Sequence, residues 1–177
     1  TMTTKTTQYP QTIYATADTW GSDTSYETYE SMQNTIASLK DAGGEDWNGI
    51  DISDCEKFDF VGMHGEFAIY RQSLRGGEEY FAFTRNDDDE GTFVHENRAS
   101  GFTAKTLTVA QAAYEIGLPF THEQAAARVA ATPELVAHEA TILADWEDDT
   151  HYGWVCSADV AEIVDWAKSV ERDGDPA

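Results

Sequence analysis

Positive charge is what this chain most lacks. Its 11 lysines and arginines stand against 33 aspartates and glutamates, a formal charge of −22 at pH 7. Lysine is confined to Lys5, Lys40, Lys57, Lys105 and Lys168. A nucleic-acid binder with this balance needs a local basic face to meet phosphates. Cysteine is almost as scarce. Cys55 and Cys156 lie far apart and form no CxxC, which removes structural zinc modules and disulfide scaffolds and fits reduced thiols in a cytoplasmic protein. No apolar run approaches the roughly 18 residues of a membrane-spanning helix, so no membrane contact is expected. Residues 1–11 are threonine-rich, lack the apolar core of a signal peptide, and are expected to form a flexible tail. Neither GxGxxG nor GxxxxGK[ST] occurs, and HExxH and GxSxG are missing too. Dinucleotide chemistry, nucleotide hydrolysis, zinc-protease chemistry and a serine nucleophile elbow therefore have no support, and no cofactor is expected.

Acids are abundant and spread along the whole chain. That pattern fits a protein adapted to high salt, where charge repulsion is screened within about 3 Å. The competing reading, an acidic mimic of nucleic acid, needs the charges gathered in one stripe. The 177 residues are 41% hydrophobic and 12% aromatic, enough for a core of their own. One α+β domain is expected over 12–172, with a β-rich layer over about 12–100, a helical layer over about 105–172, and a flexible end at 173–177.

The stretch from Phe58 to Val94 carries the clearest pattern. Read with a period of two, Phe58, Phe60, Phe67, Ile69, Phe81, Phe83 and Phe93 fall on one side of successive short segments. Gly62 and Gly65, then Arg75-Gly76-Gly77, then 86–91 supply turns. The reading is an antiparallel meander of about four strands whose Phe-rich face is covered by helices.

On the N-terminal side, Ile13–Ala17 reads as a strand, Trp20–Asp23 as a turn, and about Ser25–Lys40 as a helix stopped by Gly43-Gly44. After Thr108 the chain turns alanine-rich. Helices are expected from Thr108 to Ile116, from Thr121 to Ala131 with a Thr121/Gln124 capping box, and from Pro133 to Trp146. Trp154–Cys156 reads as a short strand. Ser157 is expected to cap a last helix striped by Val160, Ile163, Val164, Ala167 and Val170.

Four constellations could carry chemistry. Residues 107–130 resemble the helix-turn-helix of transcription regulators, with Ala113 and Gly117 four apart, and His122, Gln124 and Arg128 as the residues to meet DNA. Glu123 stands where an apolar residue usually locks the second helix. Arg71, Arg75, Arg85, Arg98 and Lys105 place five of the 11 basic residues within 35 positions. With Tyr70, Tyr80 and His95 they form a candidate anion-ligand or partner surface, because guanidinium matches carboxylate or phosphate in bidentate fashion. The plain alternative is pairing of each arginine with a local acid. His-Glu pairs at 95, 122 and 138, the 87–90 acidic loop, and Asp148, Asp149 and His151 lack metal-module spacing, so no metal site is expected. His64, between Gly62 and Gly65 and two residues from Glu66, has the placement of a general base or of a plain turn histidine.

The expectation is a binding or regulatory protein, not an enzyme, working through a protein partner or a second copy of itself. It rests on the missing catalytic motifs and on the aromatics Trp47, Tyr70 and Trp154, read as exposed. The alternatives are the DNA-binding hairpin, and a small enzyme or anion-ligand binder using Arg71, Arg85, His95 and Arg98.

Overall fold

The computed structural model describes residues 9–15, 26–42, 49–87, 89–98, 103–148 and 150–174, with the side chains of 89, 90 and 96–98 outside the description. The Trp20–Asp23 turn, Gly43-Gly44 and Trp47 also lie outside it. The chain divides into two compact units, Thr1–Val109 and Ala110–Ala177.

The N-terminal unit is a closed antiparallel barrel in the order β1-β2-β6-β5-β4-β3. Its strands are β1 (Thr12–Ala15), β2 (Tyr26–Glu27), β3 (Glu56–His64), β4 (Phe67–Leu74), β5 (Gly77–Asn86) and β6 (Asp89–Arg98). The four-strand meander is present as β3 to β6, but it is not an open sheet covered by helices. β1 pairs with β3 and β2, and β2 pairs with β6, so the aromatic face curls onto itself. Register shifts at Phe60/Gly62, Ala82/Phe83 and Arg85/Asn86 supply the local bending that closure requires. Closing the sheet removes its edges, and the inward side chains fill so narrow a barrel.

The filling is aromatic. Phe58, Tyr70, Phe81, Phe83 and Phe93 are buried with Ile13, Ala15 and Ala68, and Tyr9, Tyr26 and Phe60 pack against them. Phe83 is central, with ring centroids 4.8 Å from Tyr26 and 5.5 Å from Tyr70. Phe67 and Ile69 do not join this face. The β4–β5 register sets Ala68 opposite Phe83 and Tyr70 opposite Phe81, so the odd-numbered β4 residues point outward. The turn between β3 and β4 is Gly65-Glu66, with Gly65 at φ +58°. Gly62 sits instead at the β3 bulge, where an added Cβ would come within 2.6 Å of Val109 Cγ2. The segment 103–109 runs along this outer side. Thr103 exchanges two backbone hydrogen bonds with Glu78, and Leu107 N donates to Tyr80 Oη.

Helix α1 (Tyr29–Asp41) starts four residues after the expected Ser25, because Tyr26 and Glu27 are held in the sheet. Thr28 caps it, accepting from Ser31 N. Met32 and Ile36 are buried on its inner face, while Tyr29 is 49% exposed. The buried Glu27 carboxylate accepts from Ser31 Oγ and Thr35 Oγ1 of the same helix. Of residues 1–11, Tyr9 to Gln11 lie on the barrel: Tyr70 Oη donates to the Pro10 carbonyl at 2.7 Å, and Phe60 N donates to that of Gln11 at 2.8 Å.

The C-terminal unit holds α2 (Val109–Ile116, which begins at the boundary), α3 (His122–Ala131), α4 (Pro133–Val136), α5 (Glu139–Ile142), α6 (His151–Ser157) and α7 (Val160–Asp173). Gly117, at φ +87°, ends α2, a left-handed conformation that favours glycine. The Thr121/Gln124 capping box forms in both directions. The expected Pro133–Trp146 helix is broken at Ala137-His138 into α4 and α5. No glycine or proline marks the break, and His138 there bonds Glu171 of α7 at 3.0 Å. The expected Trp154–Cys156 strand is part of helix α6; three residues were too few to define a period. Ser157 does not cap α7: its hydroxyl donates back to the Gly153 carbonyl, and Asp159 holds the cap position. Val129, Leu135, Ile142, Val155 and Ile163 are fully buried together. Among the described residues no helix is long and apolar enough to cross a membrane.

Candidate functional site

The barrel wall divides the arginine set. Tyr70, Arg85 and His95 occupy inward positions. The His95 ring lies 5.5 Å from Phe81 and Phe83 and 5.6 Å from Tyr26. The Arg85 guanidinium lies 5.5 Å from the centre of the Tyr9 ring and 5.9 Å from that of Phe93. Arg71 and Tyr80 are on the outer side, although the sequence places Arg71 on the Phe parity. Arg71 pairs with Glu78 at 3.7 Å, and Tyr80 donates to the same carboxylate at 2.6 Å. The strand position of Arg98 is opposite Phe81; its side chain lies outside the description. Tyr70, read from sequence as exposed, is fully buried, and burial pushes its phenol well above the ordinary tyrosine range. His64 is buried at the end of β3 and does not project from the turn.

The hairpin of α2 and α3 forms, but its three DNA candidates have other work. Arg128 projects into its own unit, where Nη1 donates to the Val155 carbonyl at 2.5 Å and Nη2 to that of Ala158 at 2.7 Å. It thereby satisfies carbonyls at the end of α6, which have no partner within the helix. Gln124 uses its side-chain oxygen in the capping box, where it accepts from Thr121 N. His122 stands edge-on to Tyr152, with centroids 5.4 Å apart. Cys55 and Cys156 are free thiols, both pushed upward in pKa by burial. Among the described residues no group of three or more His, Cys, Asp or Glu is placed to hold a metal ion.

One cavity of the C-terminal unit is not marked as a whole in the sequence. It has a volume of about 740 Å³, within the range of about 300–1,000 Å³ usual for ligand pockets. Tyr114 comes from α2, Leu118 to Phe120 from the turn after it, and His122 from the start of α3. Trp146, Asp148 and Thr150 come from the segment before α6, and Tyr152 and Gly153 from α6 itself. The walls are held from behind. Trp146 Nε1 donates to the Thr141 carbonyl, and the ring lies 5.3 Å from Trp166. His151 is buried, its Nε2 donating to the Ile142 carbonyl at 2.8 Å. At Gly153 an added Cβ would lie 2.9 Å from Tyr114 Cδ2 and 3.1 Å from Phe120 Cδ2. Glycine there lets both rings close on α6.

The lining is more apolar than polar, and Asp148 is its one carboxylate among the described residues. Asp148 Oδ1 accepts from Thr150 N at 2.9 Å and from Thr150 Oγ1 at 2.7 Å. These bonds hold its carboxyl below the usual carboxylate range, helped by His151 nearby. The pocket can therefore offer aromatic rings and a carboxylate that is ionised at neutral pH. One sequence signal pointed this way: Tyr114 lies off the apolar stripe of α2, where Ala112, Ala113 and Ile116 are buried, and is 38% exposed. No family model matches this chain, and neither a curated protein nor a solved structure matches it.

Proposed function

We propose that this protein is a non-enzymatic binding or regulatory protein that acts through protein contacts, with the aromatic pocket of the C-terminal unit as its working face. The supporting observation is a preformed, mainly apolar cavity of about 740 Å³ walled by Tyr114, Phe120, Trp146 and Tyr152. Rigid aromatics in a concave site are the usual anchors of recognition, because they bury much area for little lost rotamer freedom. The barrel serves this reading as a scaffold: its interior is occupied by its own rings.

The DNA reading of the hairpin is weaker on charge. From Ala110 onward the sequence has 14 acids and only Arg128, Lys168 and Arg172 as cations. Arg128 is bound to α6 carbonyls and Arg172 to Asp173. Phosphates are met by cations, and two of the three here are engaged within the unit.

The test is site-specific photo-crosslinking in the native host. Benzoylphenylalanine replaces Tyr114 at the pocket lip or, as a control, the exposed Val136 on α4. Irradiation is expected to give a discrete protein adduct from position 114 and not from 136. An adduct of twice the chain mass would identify the partner as a second copy. Identical patterns from both positions, or no adduct from 114, would remove the pocket as a protein-contact face.

A further inference from the structure

We infer that the group received by the aromatic pocket is a cationic side chain, lysine or arginine, carried on a basic protein segment. This rests on the reading above and specifies its ligand. Three features of the pocket point the same way. First, aromatic ring faces carry partial negative charge, and a cation seated on one is held electrostatically; an aliphatic group of equal size gains no such term. Tyr114, Phe120, Trp146 and Tyr152 offer four such rings around one cavity. Second, the Asp148 carboxylate stands among the lining residues. The hydrogen bonds from Thr150 N and Thr150 Oγ1 both go to its Oδ1. An incoming ammonium or guanidinium can approach Oδ2 without displacing them.

Third, among the described lining residues there is no lysine or arginine. An anionic group entering the cavity would meet a carboxylate and electron-rich rings with no fixed cation to balance it. A phosphate-bearing or carboxylate-bearing ligand is disfavoured on the same ground. A purely aliphatic ligand would fill the space but leave Asp148 without a role. The surrounding charge agrees: the 14 acids of residues 110–177 attract basic segments at long range in low salt. In about 1 M salt that attraction is screened within about 3 Å, and only direct contact in the pocket remains.

Fluorescence anisotropy on the full chain in about 1 M KCl tests this. The probe is a labelled peptide of alternating lysine and glycine, beside the same peptide acetylated on every lysine. Acetylation keeps the stem and removes the charge. The unmodified peptide should bind saturably, and the acetylated one at least about tenfold more weakly. Asp148→Asn and Tyr114→Leu should each weaken binding about fivefold. Glu134→Gln, which removes one exposed charge of the same unit, should leave it unchanged. Equal binding of both peptides, still lost with Tyr114→Leu, would overturn the cationic ligand and leave the pocket as a contact face. Equal weakening by Asp148→Asn and Glu134→Gln would replace pocket recognition by diffuse charge, overturning the inference. If neither peptide binds, the inference falls, while crosslinking at position 114 still judges the binding role separately.

Discussion

At the scale of single residues, Arg128 separates two uses of one cation. On a DNA-binding helix its charge would matter most. Here its planar fork reaches two carbonyls at once, those of Val155 and Ala158. Lysine keeps the charge but lacks that fork. Arg128→Lys is therefore expected to destabilise the C-terminal unit by about 2 kcal/mol, a typical loss for hydrogen bonds to a charged group. Urea denaturation followed by tryptophan fluorescence reads this directly, since Trp146, Trp154 and Trp166 form one ring cluster with His151. Unchanged stability would mean that the guanidinium is not needed at the end of α6. Sequence named Arg128 correctly as the one cation of α3 but not what it faces. Its acceptors lie 27 and 30 residues away and are backbone atoms, which no side-chain pattern marks.

At the scale of elements, the closed barrel and the covered meander differ over Phe67. In the meander Phe67 and Phe83 share the buried face and cost the same to remove. In the barrel Phe83 is enclosed by rings, while Phe67 is outward and half-buried. Phe83→Ala should cost about 3–5 kcal/mol and Phe67→Ala distinctly less. Comparable losses in chemical denaturation would contradict an outward Phe67 in the barrel wall. The local signals that succeeded are short-range ones. The Thr121/Gln124 box, the Gly117 stop, the Gly65 and Gly76 turns and the α7 stripe each depend on residues within one or two turns. Where such signals are weak, expectation failed. A two-residue β2 cannot be told from the start of a helix, and a three-residue run at Trp154 has no measurable period. The inward face of β4 failed for another reason. Alternation says that one face is buried, but Ile69 and Ala82 are buried on the outer side as well, so both parities read as core.

For the whole molecule, charge sets the expected response to solvent. With −22 on 177 residues, self-repulsion opposes compactness wherever it is unscreened. The melting temperature at pH 7 should rise by several degrees as KCl increases from about 0.01 M to about 1 M, while the Debye length falls from about 30 Å to about 3 Å. Calorimetry with a flat or falling profile would remove the salt-adaptation reading. Acid acts through a different set of groups. Asp51 is held low by Ser53, Asp148 by Thr150, Glu171 by His138 and Thr141, and Asp173 by Arg172. Each has a folded pKa below its unfolded value, so its contribution is complete above about pH 5 and is lost as pH falls through the unfolded and then the depressed folded values. At molar salt, with repulsion screened, stability should therefore be level near neutrality and fall on the acid side of about pH 5. A decline beginning near pH 6 would point instead to histidine.

By itself the sequence determined the local grammar of this protein: strand alternation, turn glycines, helix caps, the last amphipathic stripe and a surface crowded with carboxylates. Those follow from interactions among neighbours, which any fold of the chain would share. Only the tertiary structure decided that the aromatic strands close on themselves, on which side of the wall Arg71 and Arg85 stand, and that rings from 114 to 152 line one cavity with Asp148. Closure is made by contacts such as Thr12 with Asp59 and Tyr70 with Pro10, 47 and 60 residues apart. Pairings of that range depend on how the whole backbone bends, and no short window of residues contains that information.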